Sequence, residues 1–351
     1  MAHIFKKPNS NNKGIIVITH QELGFIARNG ESHPSMDEIL KKYFVGVHYG
    51  GFSFGAYLPP FCSFYMGLPT VTDIKLRQPN AFDIPMASGN FTSCDFSVNL
   101  KAHKYWDIVN VSRNSVMKNL RVFFREVKKI YDLGYKYKIL LICPSRHEED
   151  PSDHFVDIVD VYYQMFTKEE RDLFTLMRLS KDLEFKGLSK KQLSFFYQSS
   201  KVFTLFSETE GFPGVVPEAL LTGLPVVMWK HQRGSGKDYL DESNSILFDS
   251  FDSAHSSLIQ AVEGYDKFSH NHEFLAQNLR EDHSLDKIKK YFERLYNING
   301  QNFDGDLINV DDLVSRLPAH YSDLPWANNR HYNGHIKKME QFKIFVKEAL
   351  G

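Results

Sequence analysis

Short apolar runs alternate with amphipathic stretches along much of this chain. Gly14–Thr19, Phe44–His48, Thr70–Ile74, Trp106–Val111, Ile139–Cys143, Val202–Phe206 and Val226–Trp229 are rich in β-branched and aromatic residues. Their length predicts buried strands. Val116, Leu120, Phe123, Phe124, Val127 and Ile130 recur at helical spacing, and Gly134 predicts the end of that helix. Ser35 to Glu38, Thr167 to Glu170 and Ser189 to Gln192 each have the form of a capping box, predicting three further helix starts. From Trp106 to about Ala261 strands and helices alternate, which predicts a parallel sheet covered on both faces. Lys75–Lys104 reads as loop, Asn299–Asp312 is polar with turn signals, and His335–Leu350 predicts a final amphipathic helix.

Length and charge narrow the classes. At 351 residues the default is two domains, and 42% hydrophobic content with 29 Phe and 17 Tyr supports real cores. The 42 Lys and Arg nearly balance the 43 Asp and Glu, so no nucleic-acid-binding arm is expected. Cys62, Cys94 and Cys143 are too scattered for a disulfide frame or a zinc site. His331 and His335 stand at helical spacing but lack a recognisable third ligand, so no metal is expected. With neither a signal peptide nor a membrane-spanning run in view, the expectation is a soluble cytoplasmic protein. Homodimerisation is left open.

Ser207–Val227 (SETEGFPGVVPEALLTGLPVV) holds the densest chemistry. Gly211 and Gly214 mark a loop that turns tightly or admits a ligand, Pro217 suits a first helical turn, and Gly223 suits a helix end. Two carboxylates, Glu210 and Glu218, bracket that loop. A solvated surface loop is the plainer alternative, and a helix dipole favours Glu218 by only about 0.3–1 kcal/mol. A carboxylate at the mouth of an open sheet can instead accept hydrogen bonds from ribose hydroxyls. After the strand ending at Val111, Arg113 and Lys118 offer two cations where such sheets bind anions. Taken alone, they read better as solvated surface charges. Gly234-Ser235-Gly236, after the strand ending at Trp229, could form a backbone nest for phosphate.

Together VSRNSVMKN (Val111–Asn119), FKGLS (Phe185–Ser189), Ser207–Val227 and GSGKDYLDESNSILF (Gly234–Phe248) resemble the retaining GT-B glycosyltransferases of the family-4 type, with their E-x7-E motif. The resemblance spans about 106–262. It implies an α/β chain of two Rossmann-like domains whose parallel sheets face a cleft. Residues 1–105 would be an acceptor-side domain, shorter than usual in that family, with a C-terminal helix at about 330–351 packing back on it. Residues 106–329 would bind the nucleotide sugar.

Carried onto this chain, Arg113 and Lys118 would clamp the donor diphosphate, Glu210 would lie beside the transferred sugar, and Glu218 would bind the ribose. Gly211, Phe212, Pro213 and Gly214 would touch sugar or phosphate, Gly187 and Leu188 would border the base, and Gly234, Ser235 and Gly236 would approach the phosphates. Asp73, His48 and His20 are candidates for a further sugar contact from the N-terminal part. The implied activity is metal-independent transfer of a hexose, with retention, to a glycan or glycoconjugate. No cofactor is needed beyond the donor, with GDP-mannose ahead of UDP-hexoses. The alternatives are a non-catalytic sugar-nucleotide-binding module or another GT-B enzyme such as a sugar-nucleotide epimerase.

Overall fold

The computed structural model describes residues 2–19, 34–48, 58–68, 74–144, 158–179 and 188–317, together with 347, 349 and 350. The chain divides into two units, Met1–Thr92 with Leu279–Gly351, and Ser93–Asn278. The first unit thus takes the chain back at Leu279, well ahead of the helix at about 330–351 that the sequence assigns to it.

In the first unit β1 (Ala2–Lys6) runs antiparallel to β2 (Gly14–Thr19). After α1 (Pro34–Lys42) come β3 (Tyr43–His48) and β4 (Phe64–Met66), then α2 (Ile74–Arg77) and β5 (Phe82–Ile84). The last four strands are parallel, and the sheet order β1-β2-β3-β4-β5 follows the chain. The two-residue period sorts the side chains: Ile15 and Val17 join Phe64, Met66 and Ile84 on one face, while Ile16, Ile18, Val45 and Val47 fill the other.

Three expectations are corrected here. A strand not expected from the sequence forms at Phe64–Met66, whose three side chains are all buried, and Ile74, the last residue of the strand expected at Thr70–Ile74, is helical. Ile74 opens α2, and Thr70 to Asp73 lie outside the described residues. Helix α1 begins at Pro34, so Ser35 sits inside it rather than capping it; a proline is pre-set for that first position. The supposed loop at Lys75–Lys104 contains the rest of α2, β5 and a 3-10 turn at Ser88–Phe91. The polar N-terminal stretch contains β1, where buried Lys6 is paired with Asp304 at 2.9 Å.

The second unit is a six-stranded, all-parallel sheet. Its elements are β6 (Trp106–Val111), α3 (Leu120–Asp132), β7 (Ile139–Pro144), α4 (Ile158–Met165), α5 (Lys168–Arg171) and β8 (Phe174–Leu179). There follow α6 (Lys190–Gln198), β9 (Ser200–Leu205), α7 (Val215–Leu221), β10 (Val226–Trp229), β11 (Ser245–Phe248), α8 (Ala254–Glu263) and α9 (His272–Leu279). Strand order is β11-β10-β9-β6-β7-β8, the doubly wound order in which the chain reverses direction between β6 and β9. Ile108, Leu141, Val202 and Phe206 meet Phe123, Phe124, Val127 and Ile130 in one continuous core. Each such fully buried side chain contributes about 1.5–3 kcal/mol of burial.

The capping boxes at Thr167 and Ser189 both form, opening α5 and α6. Helix α3 starts later than its apolar spacing predicts. Val116–Lys118 is a 3-10 turn, and Asn119 follows at φ 50, a left-handed conformation that Asn tolerates. Val116 and Met117 are therefore exposed rather than core. The chain then returns to the first unit. Helices α10 (Glu281–Ile298) and α11 (Leu313–Arg316) bring Ile288, Phe292, Leu295 and Leu313 onto the Phe64 face of the first sheet. The Tyr43 hydroxyl donates to the Ala349 carbonyl at 2.7 Å, so the last described residues also belong to that unit. Among the described residues no helix is long and apolar enough to cross a membrane.

Candidate functional site

In an open α/β sheet the crevice for a ligand lies beyond the carboxyl ends of the strands at the point where strand order reverses. In the second unit that point is flanked by the loop after β6 and the loop after β9. The first carries Arg113 and Lys118, the second Glu210 through Gly214. Both loops were singled out by sequence, and the sheet order brings them side by side.

The contact between them is an ion pair joining Lys118 Nζ and Glu210 Oε1. The two side chains are only 13% and 11% exposed, so the pair is largely removed from water. Asn119 ties the same two loops by donating to the Phe206 carbonyl at 3.2 Å and to Glu208 at 3.1 Å. Arg113 is exposed at the end of β6.

The third loop is stitched to the second through backbone. The Glu210 N–H donates to the Arg233 carbonyl, and the Arg233 N–H to the Glu208 carbonyl, both at 2.9 Å. Buried Gln232 donates its amide to the carbonyls of Arg233 at 2.8 Å and Ser235 at 3.4 Å. Gly234 at φ 98 and Gly236 at φ 116 take left-handed conformations that favour glycine. A Cβ on Gly236 would also stand 2.7 Å from Pro213 Cγ, so the two loops approach as closely as a glycine permits. The N–H groups of this loop are partly spent within the protein. That of Ser235 reaches the Gly211 carbonyl at 3.4 Å, and that of Gly236 reaches Asp238 at 3.2 Å.

Gly211 and Phe212 are partly exposed and Pro213 is buried. Gly214 is the N-cap of α7, at an ordinary helical φ of −51, and a Cβ placed on it would meet nothing within 4 Å. Its glycine therefore answers to no backbone strain. Gly223, by contrast, ends that helix at φ 79, as the sequence predicts.

Glu218 stands in the first turn of α7, with Pro217 before it. The residue as a whole is half-buried, and the protein around its carboxyl pushes its acid up to about 8. Burial is the main cause. The Tyr197 hydroxyl, which donates to Glu218 Oε2 at 3.1 Å, and the charge of Lys190 pull the other way. Leu188 and Ser189 lie just ahead of α6, the helix that carries both of those groups, whereas Gly187 lies outside the described residues.

The sequence therefore named residues from four loops of one unit, and three of those loops are in direct contact. Tyr197, Asn119 and Gln232 were not among them. Tyr197 sits in the run Phe195-Phe196-Tyr197, which reads as core, while Asn119 and Gln232 act through contacts that spacing does not reveal. Buried hydroxyls of Ser112, Ser207 and Ser235 have no hydrogen-bond partner among the described residues. Each follows one of three adjacent strands, β6, β9 and β10. Of the N-terminal candidates, His48 is buried and accepts the Ser88 N–H at Nε2 at 3.2 Å, while His20 and Asp73 lie outside the described residues. His331 and His335 do too.

Known proteins resemble this arrangement. Residues 107–264 match the family model "Glycosyl transferases group 1". A protein of Haemophilus influenzae described as an uncharacterized glycosyltransferase is 31% identical over 102 residues, covering 27% of this chain and 28% of that protein. Among solved structures, Anabaena HepE in complex with UDP superposes with a TM-score of 0.58 at 12% identity, covering 79% of this chain and 78% of that one. The pneumococcal O-GlcNAc transferase GtfA, in complex with UDP and GlcNAc, gives a TM-score of 0.53 at 14% identity over 74% of this chain. This chain spans 54% of that transferase's length. At such identities the structural likeness speaks for fold alone. Residues 107–264 thus match a group 1 glycosyl transferase domain, in a chain whose fold is GT-B.

Proposed function

We propose that this protein transfers a hexose, with retention of configuration, from a nucleotide diphosphate sugar to a glycan or glycoconjugate acceptor. The observation that carries the reading is the convergence of the Lys118, Glu210 and Gly-Ser-Gly loops at the switch point of one parallel sheet. Arg113 and Lys118 take the donor diphosphate, and Lys118 exchanges its bond to Glu210 for one to phosphate. Glu210, released, turns to the transferred sugar. Glu218 receives the ribose hydroxyls, and the orphan hydroxyls of Ser112, Ser207 and Ser235 gain partners among the polar groups of the donor. In the transfer step the bond from the anomeric carbon to the diphosphate breaks and a bond to the acceptor oxygen forms on the same face. The acceptor proton passes to the departing phosphate oxygen, while the two cations offset the charge that develops there.

Both HepE and GtfA were solved with UDP, which supports a UDP-hexose as the donor to try first, ahead of the GDP-mannose that the sequence resemblance favours. Charge supplied by Arg113 and Lys118 supports turnover without a divalent metal, so activity should survive EDTA. The test is a panel of UDP- and GDP-sugars with glycan acceptors, read by product formation and by NMR of the new anomeric centre. An α-linked product from an α-linked donor is expected. Inversion would refute the retaining mechanism, and nucleotide sugar binding without transfer or hydrolysis would leave a binding module.

A further inference from the structure

Tyr197 is fully buried, with its ring seated edge-on to Phe96 at 6.1 Å and to Phe203 at 5.8 Å. A ring held in this way fixes where its hydroxyl lies. That hydroxyl donates to one oxygen of Glu218, Oε2, at 3.1 Å. We propose that Tyr197 is a positioning residue of the donor site, holding Oε2 so that Oε1 of Glu218 is presented to the ribose hydroxyls. The inference rests on the proposed role of Glu218 and adds a residue that acts only through it.

The helix gives this contact further reach. Lys190 and Tyr197 stand seven residues apart on α6, about two turns, and so share a face. These are the two groups whose influence on the Glu218 carboxyl is resolved, the lysine at the start of the helix and the tyrosine near its end. The start of α6 is also where Leu188 and Ser189 stand, beside the expected base-binding loop. One rigid helix thus joins the expected base side of the site to the carboxylate that reads ribose. A tyrosine that merely needed a partner for its hydroxyl would leave ribose recognition unchanged when that hydroxyl is removed.

Tyr197→Phe keeps the ring and deletes the donor. The probes are UDP or GDP, whichever the wild-type protein binds, and the 2′,3′-dideoxy form of the same nucleotide, titrated calorimetrically at several pH values. Wild type should prefer the ribonucleotide about tenfold, in keeping with a hydrogen bond to a charged group. The variant should lose most of that preference while binding the dideoxy form as before, which also shows that it is folded. Because the Tyr197 hydrogen bond lowers the Glu218 acid, the rise of ribonucleotide affinity with pH should move upward in the variant. Adding Tyr197→Phe to Glu218→Gln should then cost little more than Glu218→Gln alone. An unchanged preference and an unchanged pH midpoint in Tyr197→Phe would overturn the inference, even if the variant melts earlier. Absence of any ribose preference in wild type would instead refute the role of Glu218 itself, and the inference with it.

Discussion

Glu210 and Glu218 stand at the two ends of one loop and helix turn, yet their surroundings are opposite. Glu210 faces an ammonium, Lys118, that arrives from a different strand. The acid of Glu218 is raised by burial to about 8, with the Tyr197 phenol and the charge of Lys190 favouring its anion. One carboxylate is paired with an ammonium that a polyanion could take away. The other is pushed toward its neutral form by burial. On the proposed function, identical residues at the two ends of one motif would serve different kinds of ligand group, the first exchanging its partner with phosphate and the second receiving hydroxyls.

The largest effect should come from unbalancing the first end. Lys118→Met leaves a nearly buried Glu210 unpaired, and urea unfolding should show a loss of about 3 kcal/mol. Adding Glu210→Gln removes the orphaned charge and should restore most of that loss. A double variant no more stable than the single one would mean the pair is not what holds these loops. Arg113→Ala should leave stability within about 0.5 kcal/mol, since the side chain is exposed. Nucleotide sugar affinity should nevertheless fall by about 1.5–3 kcal/mol, as for a lost charge-assisted hydrogen bond.

The second end should show itself through pH. Glu218 titrates near 8 in the folded chain against an ordinary 4.5. Between those values the folded state holds a proton that the unfolded state has released, so its contribution to stability is present at low pH and is lost as pH rises through about 8. Thermal unfolding of Glu218→Gln across that window should lack this decline, and an unaltered slope would contradict the raised acid. The smallest change concerns the loop between the two ends. Gly214→Ala should fold as well as wild type or gain up to about 1 kcal/mol, because the backbone there is already helical and the space beside it is open. If donor fills that space, the same variant should bind nucleotide sugar more weakly.

The second sheet was legible because buried parallel strands make continuous apolar runs, and Trp106–Val111 and Val226–Trp229 coincide with β6 and β10. Its loops could be read for the same reason, since each follows a recognisable strand. The first sheet was harder. Its β4 is three residues long, and β1 carries two buried polar residues, His3 and Lys6, the latter paired with Asp304 far along the chain. Among the described residues that sheet keeps chain order, so it has no reversal to mark a ligand crevice. The pairing of Lys118 with Glu210 was also beyond reach, because it joins positions 92 apart and depends on which strands become neighbours. Tyr197 was hidden by its own burial, for an aromatic run on a helix says nothing about where one hydroxyl ends.

The loops after β6, β9 and β10 are proposed to form a nucleotide sugar site in the second unit. Calorimetric titration of the wild-type protein and of Arg113→Ala with UDP and with GDP decides it. One of the two nucleotides should bind wild type at a single site and bind Arg113→Ala at least tenfold more weakly, the shift expected from losing one charged contact. Failure of both nucleotides to bind wild type, or equal affinity for the two proteins, would contradict the account.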